Sequence, residues 1–212
     1  MAMFKEFYED ELHKDYTSLH VGRSRSISQN MNLFFENPPL KSGKLLDVGC
    51  GDGIFLEKAR EFGFDVWGID FDSKSIETAR KKRNLRNVFP VSLTEFVDFA
   101  KMKNIQFDII TFFEVLEHQD NLQSFIQDIT TLLKKDGFVA GSVPNRDRFL
   151  AKLSDRAFGF GDYPPHHFTR WSMEVLKIYL EKNGFTNIWL KPCCFFSLLE
   201  ASYWWQRVIL GN

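Results

Sequence analysis

Nine residues, Leu45-Leu46-Asp47-Val48-Gly49-Cys50-Gly51-Asp52-Gly53, constrain this chain more than any other stretch. An apolar run ends in an acid, glycines follow at positions 49, 51 and 53, and a helical pattern begins at once. Glycine lacks Cβ, so it tolerates positive φ and lets another group approach the backbone closely. A glycine turn from a strand into a helix is where open α/β sheets receive nucleotide-like ligands. The dinucleotide fingerprint G-x-G-x-x-G sets a pyrophosphate against the helix N-terminus. Here the last glycine arrives one residue early.

From this turn onward the chain alternates. Strands are expected at Lys44–Val48, Asp65–Ile69, Asn87–Val91, Phe107–Phe113 and Phe138–Val143. Helices are expected at 54–62, from Ser73 to about Lys82, from Thr94, and at 121–134, where Leu122, Phe125, Ile126, Ile129, Leu132 and Leu133 share a face. The 107–113 segment is nearly all apolar, as a central buried parallel strand should be. Such alternation implies right-handed crossovers and a doubly wound, Rossmann-like α/β sheet, mostly parallel, with helices on both faces. After an irregular stretch from Pro144 to Arg170, Ser172 caps a helix to Lys182 with Val175, Leu176, Tyr179 and Leu180 inward. Phe185–Leu190 then supplies an antiparallel C-terminal strand. The run Cys193–Leu210 is apolar and aromatic and fits either strand or helix. Residues 1–40 read as a helical cap or lid, with Phe4, Phe7, Tyr8 and Leu12 on one stripe and Ile27, Met31, Phe34 and Phe35 on another. Residues 41–212 form the ligand-binding domain, with 144–170 inserted on its substrate side.

The balance of charge excludes some functions. Across 212 residues the formal charge is −1, which disfavours a generic nucleic-acid binder held by phosphate contacts. Three cysteines make no disulfide framework and suit a reducing cytoplasm. Residues 1–15 lack the apolar core of a signal peptide, and no window suits a membrane span. The 23 phenylalanines suggest an aromatic core or an apolar ligand surface. The aromatic tail of Phe195, Phe196, Tyr203, Trp204 and Trp205 suits packing on the core or a homodimer surface better than membrane contact.

The acids around the turn select the ligand. Asp47, Asp52, Asp70, Asp72, Glu114 and Glu117 fall at or near the carboxyl ends of the expected strands. An acidic rim repels a pyrophosphate and attracts a cation. S-adenosylmethionine, with an ammonium, a sulfonium and two ribose hydroxyls, fits such a rim better than NAD does. The motifs agree. Asp47-Val48-Gly49-Cys50-Gly51-Asp52-Gly53 resembles motif I of the class I S-adenosylmethionine-dependent methyltransferases. Gly68-Ile69-Asp70-Phe71-Asp72 is similar to the acidic element that follows it. Phe112-Phe113-Glu114-Val115-Leu116-Glu117-His118 resembles the fourth-strand motif of the ubiquinone-biosynthesis O-methyltransferase-like branch. Tyr163-Pro164-Pro165-His166-His167-Phe168-Thr169-Arg170-Trp171-Ser172 is similar to a segment between strands five and six of many bacterial small-molecule methyltransferases.

The resemblance implies a cofactor set of Asp47, Gly49, Cys50, Gly51, Asp70, Phe71, Leu93, Phe113 and Glu114. Asp47, Gly49 and Gly51 would meet the methionine part, Asp70 the ribose hydroxyls and Phe71 the adenine. Leu93 matches the place where adenine is sandwiched, with Glu95 standing in for a nearby acid. Phe113 and Glu114 would close the site under the sulfonium, and S-adenosylhomocysteine would be the product. Transfer to an oxygen also requires a base. His118 and His167 are the candidates, with Tyr163, His166 and Arg170 lining the acceptor side. Glu114, Glu117 and His118 could offer ligands to a divalent cation, as in some ubiquinone-pathway relatives. Mg²⁺ usually demands carboxylates plus substrate oxygens, so no metal is assigned.

The implied activity is methyl transfer to an oxygen of a small-molecule acceptor in the cytoplasm. A non-catalytic cofactor-binding protein of the same fold, or an NAD-dependent oxidoreductase, are the alternatives. The resembling family closes its sheet with an antiparallel hairpin whose seventh strand has no clear counterpart in this sequence.

Overall fold

The computed structural model describes residues 27–146, 167–194 and 201–210. Helix α1 (Gln29–Glu36) comes first, its Ser28 cap accepting from the Met31 amide. Then follow β1 (Gly43–Val48), α2 (Ile54–Phe62), β2 (Phe64–Ile69), α3 (Ser73–Arg83), β3 (Val88–Phe89), α4 (Leu93–Lys103) and β4 (Phe107–Phe113). A single 3₁₀ turn, Leu116–His118, leads to α5 (Leu122–Leu132) and β5 (Leu133–Pro144). The chain ends with α6 (Met173–Lys182), β6 (Phe185–Thr186), β7 (Trp189–Cys194) and β8 (Ala201–Leu210). The lid stripe at Phe4–Leu12 and most of the 144–170 insertion, with Tyr163 and His166, lie outside the described residues.

The strands join in the order β3-β2-β1-β4-β5-β8-β6, with β7 also paired to β8. All pairs from β3 to β5 are parallel, whereas β8 runs antiparallel to β5, β6 and β7. This is the doubly wound Rossmann-like sheet expected from the alternation. The chain winds outward through β2 and β3, then crosses back to β4 on the other side of β1. That reversal opens a crevice at the carboxyl ends of β1 and β4. Successive residues of a strand point to opposite faces, so each central strand feeds two cores. Leu46 and Ile110 pack with Phe96, Phe107 and Phe125 on one face. Leu45 and Ile109 pack with Phe34, Phe55 and Phe64 on the other.

The missing seventh strand is present. Residues 201–210 form it, between β5 on one side and β6 and β7 on the other. Several local expectations shift. The Phe185–Leu190 strand is interrupted, with Asn187 at φ 54° between β6 and β7. The third strand shrinks to Val88–Phe89. Asp72, not Ser73, caps α3 by accepting from Lys74 N. Helix α4 starts at Leu93 rather than Thr94, because Ser92 and Glu95 form a reciprocal capping box. Val175 is exposed, because α6 seats Leu176 and Leu180 in the core instead.

The glycine turn is locked by packing as well as by backbone shape. Gly49, Gly51 and Gly53 all have positive φ. At Gly53 (φ 78°) an added Cβ would stand 2.4 Å from Leu85 Cδ1 and 3.0 Å from Ala79 Cβ. Gly53→Ala combines left-handed strain with overpacking and is expected to lower stability by about 2 kcal/mol, read as a lower urea midpoint. A midpoint unchanged from the native protein would show that the turn adjusts freely.

Candidate active site

The site is assembled at the carboxyl ends of β1, β2 and β4. Asp47 sits near the end of β1, 2% exposed, and accepts a 2.7 Å hydrogen bond from Thr111 Oγ1 on neighbouring β4. Burial pushes its carboxyl up to about 8, against the lowering effect of the Thr111 bond and with a further push from the charge of Asp70. Asp70, just past β2, reaches back to the turn. Its Oδ2 accepts from Gly51 N at 2.8 Å and its Oδ1 from Asp72 N at 2.9 Å. Phe71 beside it is 65% exposed.

The acidic rim is less free than its sequence suggested. Asp52 is bound by Arg83, whose Nε donates to the Asp52 carbonyl at 2.8 Å and Nη2 to Asp52 Oδ2 at 2.9 Å. The third guanidinium nitrogen donates to Glu57 Oε2 at 2.5 Å, so Arg83 fastens the turn to both α2 and α3. Asp72 serves as a helix cap, and Glu95 is held by the Ser92 amide and hydroxyl. Among the described residues Asp47 makes no ion pair, and Asp70 lies close enough to raise its affinity for protons. A buried acid with a raised affinity for protons, beside a second carboxylate, fits a ligand that brings a cation.

Three of the expected cofactor residues turn their side chains into the cores. Cys50 is buried, and a Cβ at Gly68 would meet its Sγ at 2.8 Å, so the thiol serves strand–helix packing. Phe113 packs on Phe55 with ring centroids 4.8 Å apart. Leu93 belongs to the core beneath α4.

The end of β4 carries the densest polar chemistry. Glu114 has φ 54°, a left-handed conformation that costs a non-glycine residue energy and clusters at functional sites. Its Oε1 accepts from Ser142 Oγ on β5 at 2.5 Å and from Asn30 Nδ2 on α1 at 3.3 Å. In the following turn Glu117 is 1% exposed, and neither carboxylate oxygen has a hydrogen-bond partner. Burial, and then the charge of Glu114, hold its carboxyl well above the ordinary carboxylate range. His118 Nε2 lies 3.9 Å from Glu117 Oε1.

The chain returning from the 144–170 insertion closes on this turn. Phe168 N and Thr169 N both donate to the Glu117 carbonyl, at 2.8 and 3.3 Å. This brings the His167 ring edge-on to His118, centroids 4.8 Å apart. The two ends of the insertion meet through Arg146 N donating to the Trp171 carbonyl at 3.0 Å. Both histidines singled out in the sequence therefore stand together, although they lie in separate motifs. Glu117, His118 and His167 also bring one ligand atom each to within 4.8 Å of one another, a carboxylate-and-imidazole set that suits a divalent cation. The sequence reading assigned no metal and did not include His167 among the candidate ligands.

Thr111, Ser142, Asn30 and Arg83 were missed in the sequence. Each acts on an expected site residue from another element. Thr111 and Ser142, each a lone hydroxyl in an apolar strand, carried a local signal.

A family model described as a methyltransferase domain matches residues 20–190. The ubiquinone biosynthesis O-methyltransferase of Pelagibacter ubique (strain HTCC1062) is 36% identical over 124 residues, covering 55% of this chain and 50% of that protein. The mitochondrial ubiquinone biosynthesis O-methyltransferase of Bos taurus is 32% identical over 155 residues, covering 69% of this chain and 42% of that protein. The chain thus spans about half the length of the curated relatives it matches. In fold it is similar to the magnesium protoporphyrin IX methyltransferase of Synechocystis PCC 6803, solved with bound SAH, at TM-score 0.71 and 15% identity over 98% of this chain and 99% of that one. With a family match over most of its length and the strand order and glycine turn described above, this chain belongs to the methyltransferase domain family and has a Rossmann-like sheet.

Proposed function

We propose that the protein transfers a methyl group from S-adenosylmethionine to an oxygen of a small-molecule acceptor. The observation that carries this reading is the meeting of His118 and His167 over the buried Glu117, at the carboxyl end of β4. The O-methyltransferase names of the relatives support the choice of oxygen.

The bound cofactor supplies an electrophilic methyl on a sulfonium, and the chain's task is positioning. Asp47 receives the ammonium, and the backbone of Gly49 and Gly51 lies along the methionine part. Asp70 accepts the ribose hydroxyls while continuing to brace Gly51, and Phe71 covers the adenine. Glu114 stands toward the sulfonium, with Leu93, Phe113 and Cys50 shaping the walls from the core. His118 removes the acceptor's proton as the methyl arrives, and the neutral Glu117 beside it keeps an unpaired anion out of the turn. His167 stands beside His118, and Tyr163, His166 and Arg170 are assigned to the acceptor side. In this reading residues 1–40 form a cap and 144–170 the acceptor loop of a 41–212 catalytic domain. The enzyme works in the cytoplasm, in keeping with its few cysteines, and the described residues contain no helix long and apolar enough to cross a membrane.

A second reading places a divalent cation on Glu117, His118 and His167, where it would lower the pKa of a bound acceptor hydroxyl. One experiment separates the cases. Turnover of labelled cofactor is measured over a panel of phenols, catechols and amines, with and without a chelator. Methylation of hydroxyl acceptors that survives chelation and falls about 10²-fold or more in His118→Ala supports the base. Loss on chelation, restored by one added metal, supports the cation. Cofactor binding without turnover on any acceptor would leave a binding protein of this fold.

A further inference from the structure

Asn30 occupies a position meant for the core. On α1 it shares the buried face with Phe34, four residues on, and it is only 7% exposed. Around Phe34 that face is aromatic, with Phe35 and Phe55 at ring-centroid distances of 5.2 and 5.4 Å. A leucine at position 30 would continue the stripe. An asparagine there buries an amide, and its Oδ1 has no hydrogen-bond partner. Such an orphan acceptor costs stability. The amide's hydrogen bond goes to Glu114 Oε1, the same oxygen that Ser142 Oγ on β5 holds. Glu114 itself is in the left-handed region, a conformation its surroundings must maintain.

We infer that Asn30 is a positioning residue for Glu114. It ties α1 to the end of β4 and, with Ser142, fixes the Glu114 carboxylate toward the cationic end of the cofactor. The inference rests on the reading of Glu114 as part of the cofactor site. Two donors on one oxygen set both the direction and the charge distribution of the carboxylate. A hydrogen-bond donor on the cap helix thereby joins the placement of α1 to the affinity of the site, which packing by Phe34 alone does not.

The test is a comparison of Asn30→Leu with the native protein, by calorimetric titration of S-adenosylhomocysteine and by melting without it. Asn30→Leu removes the orphan acceptor and adds apolar volume, so its melting temperature is expected to equal or exceed the native value. Its affinity is expected to fall about tenfold, the scale of a hydrogen bond to a charged group. In a Glu114→Gln background the same change is expected to alter affinity by less than about twofold, because the carboxylate it positions is gone. Native affinity in Asn30→Leu overturns the inference. So does a lower melting temperature with equal losses of affinity in both backgrounds, which is the behaviour of a strut. If the native protein binds no S-adenosylhomocysteine, the reading of the site itself fails, and that result is distinct from either.

Discussion

Replacing Asp70 with alanine is expected to weaken S-adenosylhomocysteine binding by about 1.5–3 kcal/mol, the scale of a hydrogen bond to a charged group. Two effects act in the same direction. The proposed contact to the ribose hydroxyls is lost, and so are the bonds from Gly51 N and Asp72 N that Asp70 accepts at 2.8 and 2.9 Å. Asp70→Asn separates them, since its amide oxygen can keep one backbone donor while its NH₂ faces the other. It should lose most of the affinity with a smaller loss of melting temperature than Asp70→Ala. Calorimetry decides the matter, and an alanine variant that binds as the native protein does removes Asp70 from the cofactor site.

Asp47 makes both stability and cofactor affinity depend on pH. Its carboxyl titrates near 8 in the folded protein against 3.8 ordinarily, chiefly through burial. Between those values the folded state holds a proton that the unfolded chain has released. Stability from this group is therefore fully present at low pH and declines as pH rises through the window, by about 1.4 kcal/mol per unit at most. Denaturation midpoints measured from pH 5 to 8 should fall more steeply for the native protein than for Asp47→Asn. An ammonium beside Asp47 favours the carboxylate, so binding of S-adenosylhomocysteine near pH 7 is expected to expel close to one proton more from the native protein than from Asp47→Asn. Titrations in buffers of different ionisation enthalpy count that proton. Equal proton release by the two proteins would falsify the placement of the ammonium at Asp47.

What could be read from the sequence follows how local each determinant is. Strand β4 and helix α6 were found within their bounds because an apolar β-branched run and a serine cap are properties of the segment itself. The glycine turn was legible for the same reason. The capping box at Ser92 and Glu95 was equally visible, yet Glu95 was given to the adenine. Strand β8 was ambiguous because Tyr203, Trp204 and Trp205 follow one another without alternation, and its place depends on β5, some sixty residues earlier. Asn30 escaped because a polar residue in a helical stripe reads as a gap in the stripe. The meeting of His118 and His167 depends on backbone bonds from Phe168 and Thr169 to Glu117, which no motif encodes.

The placement of β8 also bears on the order in which the sheet can be closed. The last described strand is not at the margin of the sheet but between β5 and the β6–β7 pair. While residues 201–210 are still being synthesised, β5 offers an open row of amides and carbonyls beside Phe138, Val139 and Val143, the kind of edge that recruits strands from other chains. Domains that close by long-range pairing fold late and are exposed to aggregation until they do. Solubility in a ribosome-release series should therefore improve abruptly once residue 210 has cleared the exit tunnel, rather than gradually as the parallel half of the sheet emerges.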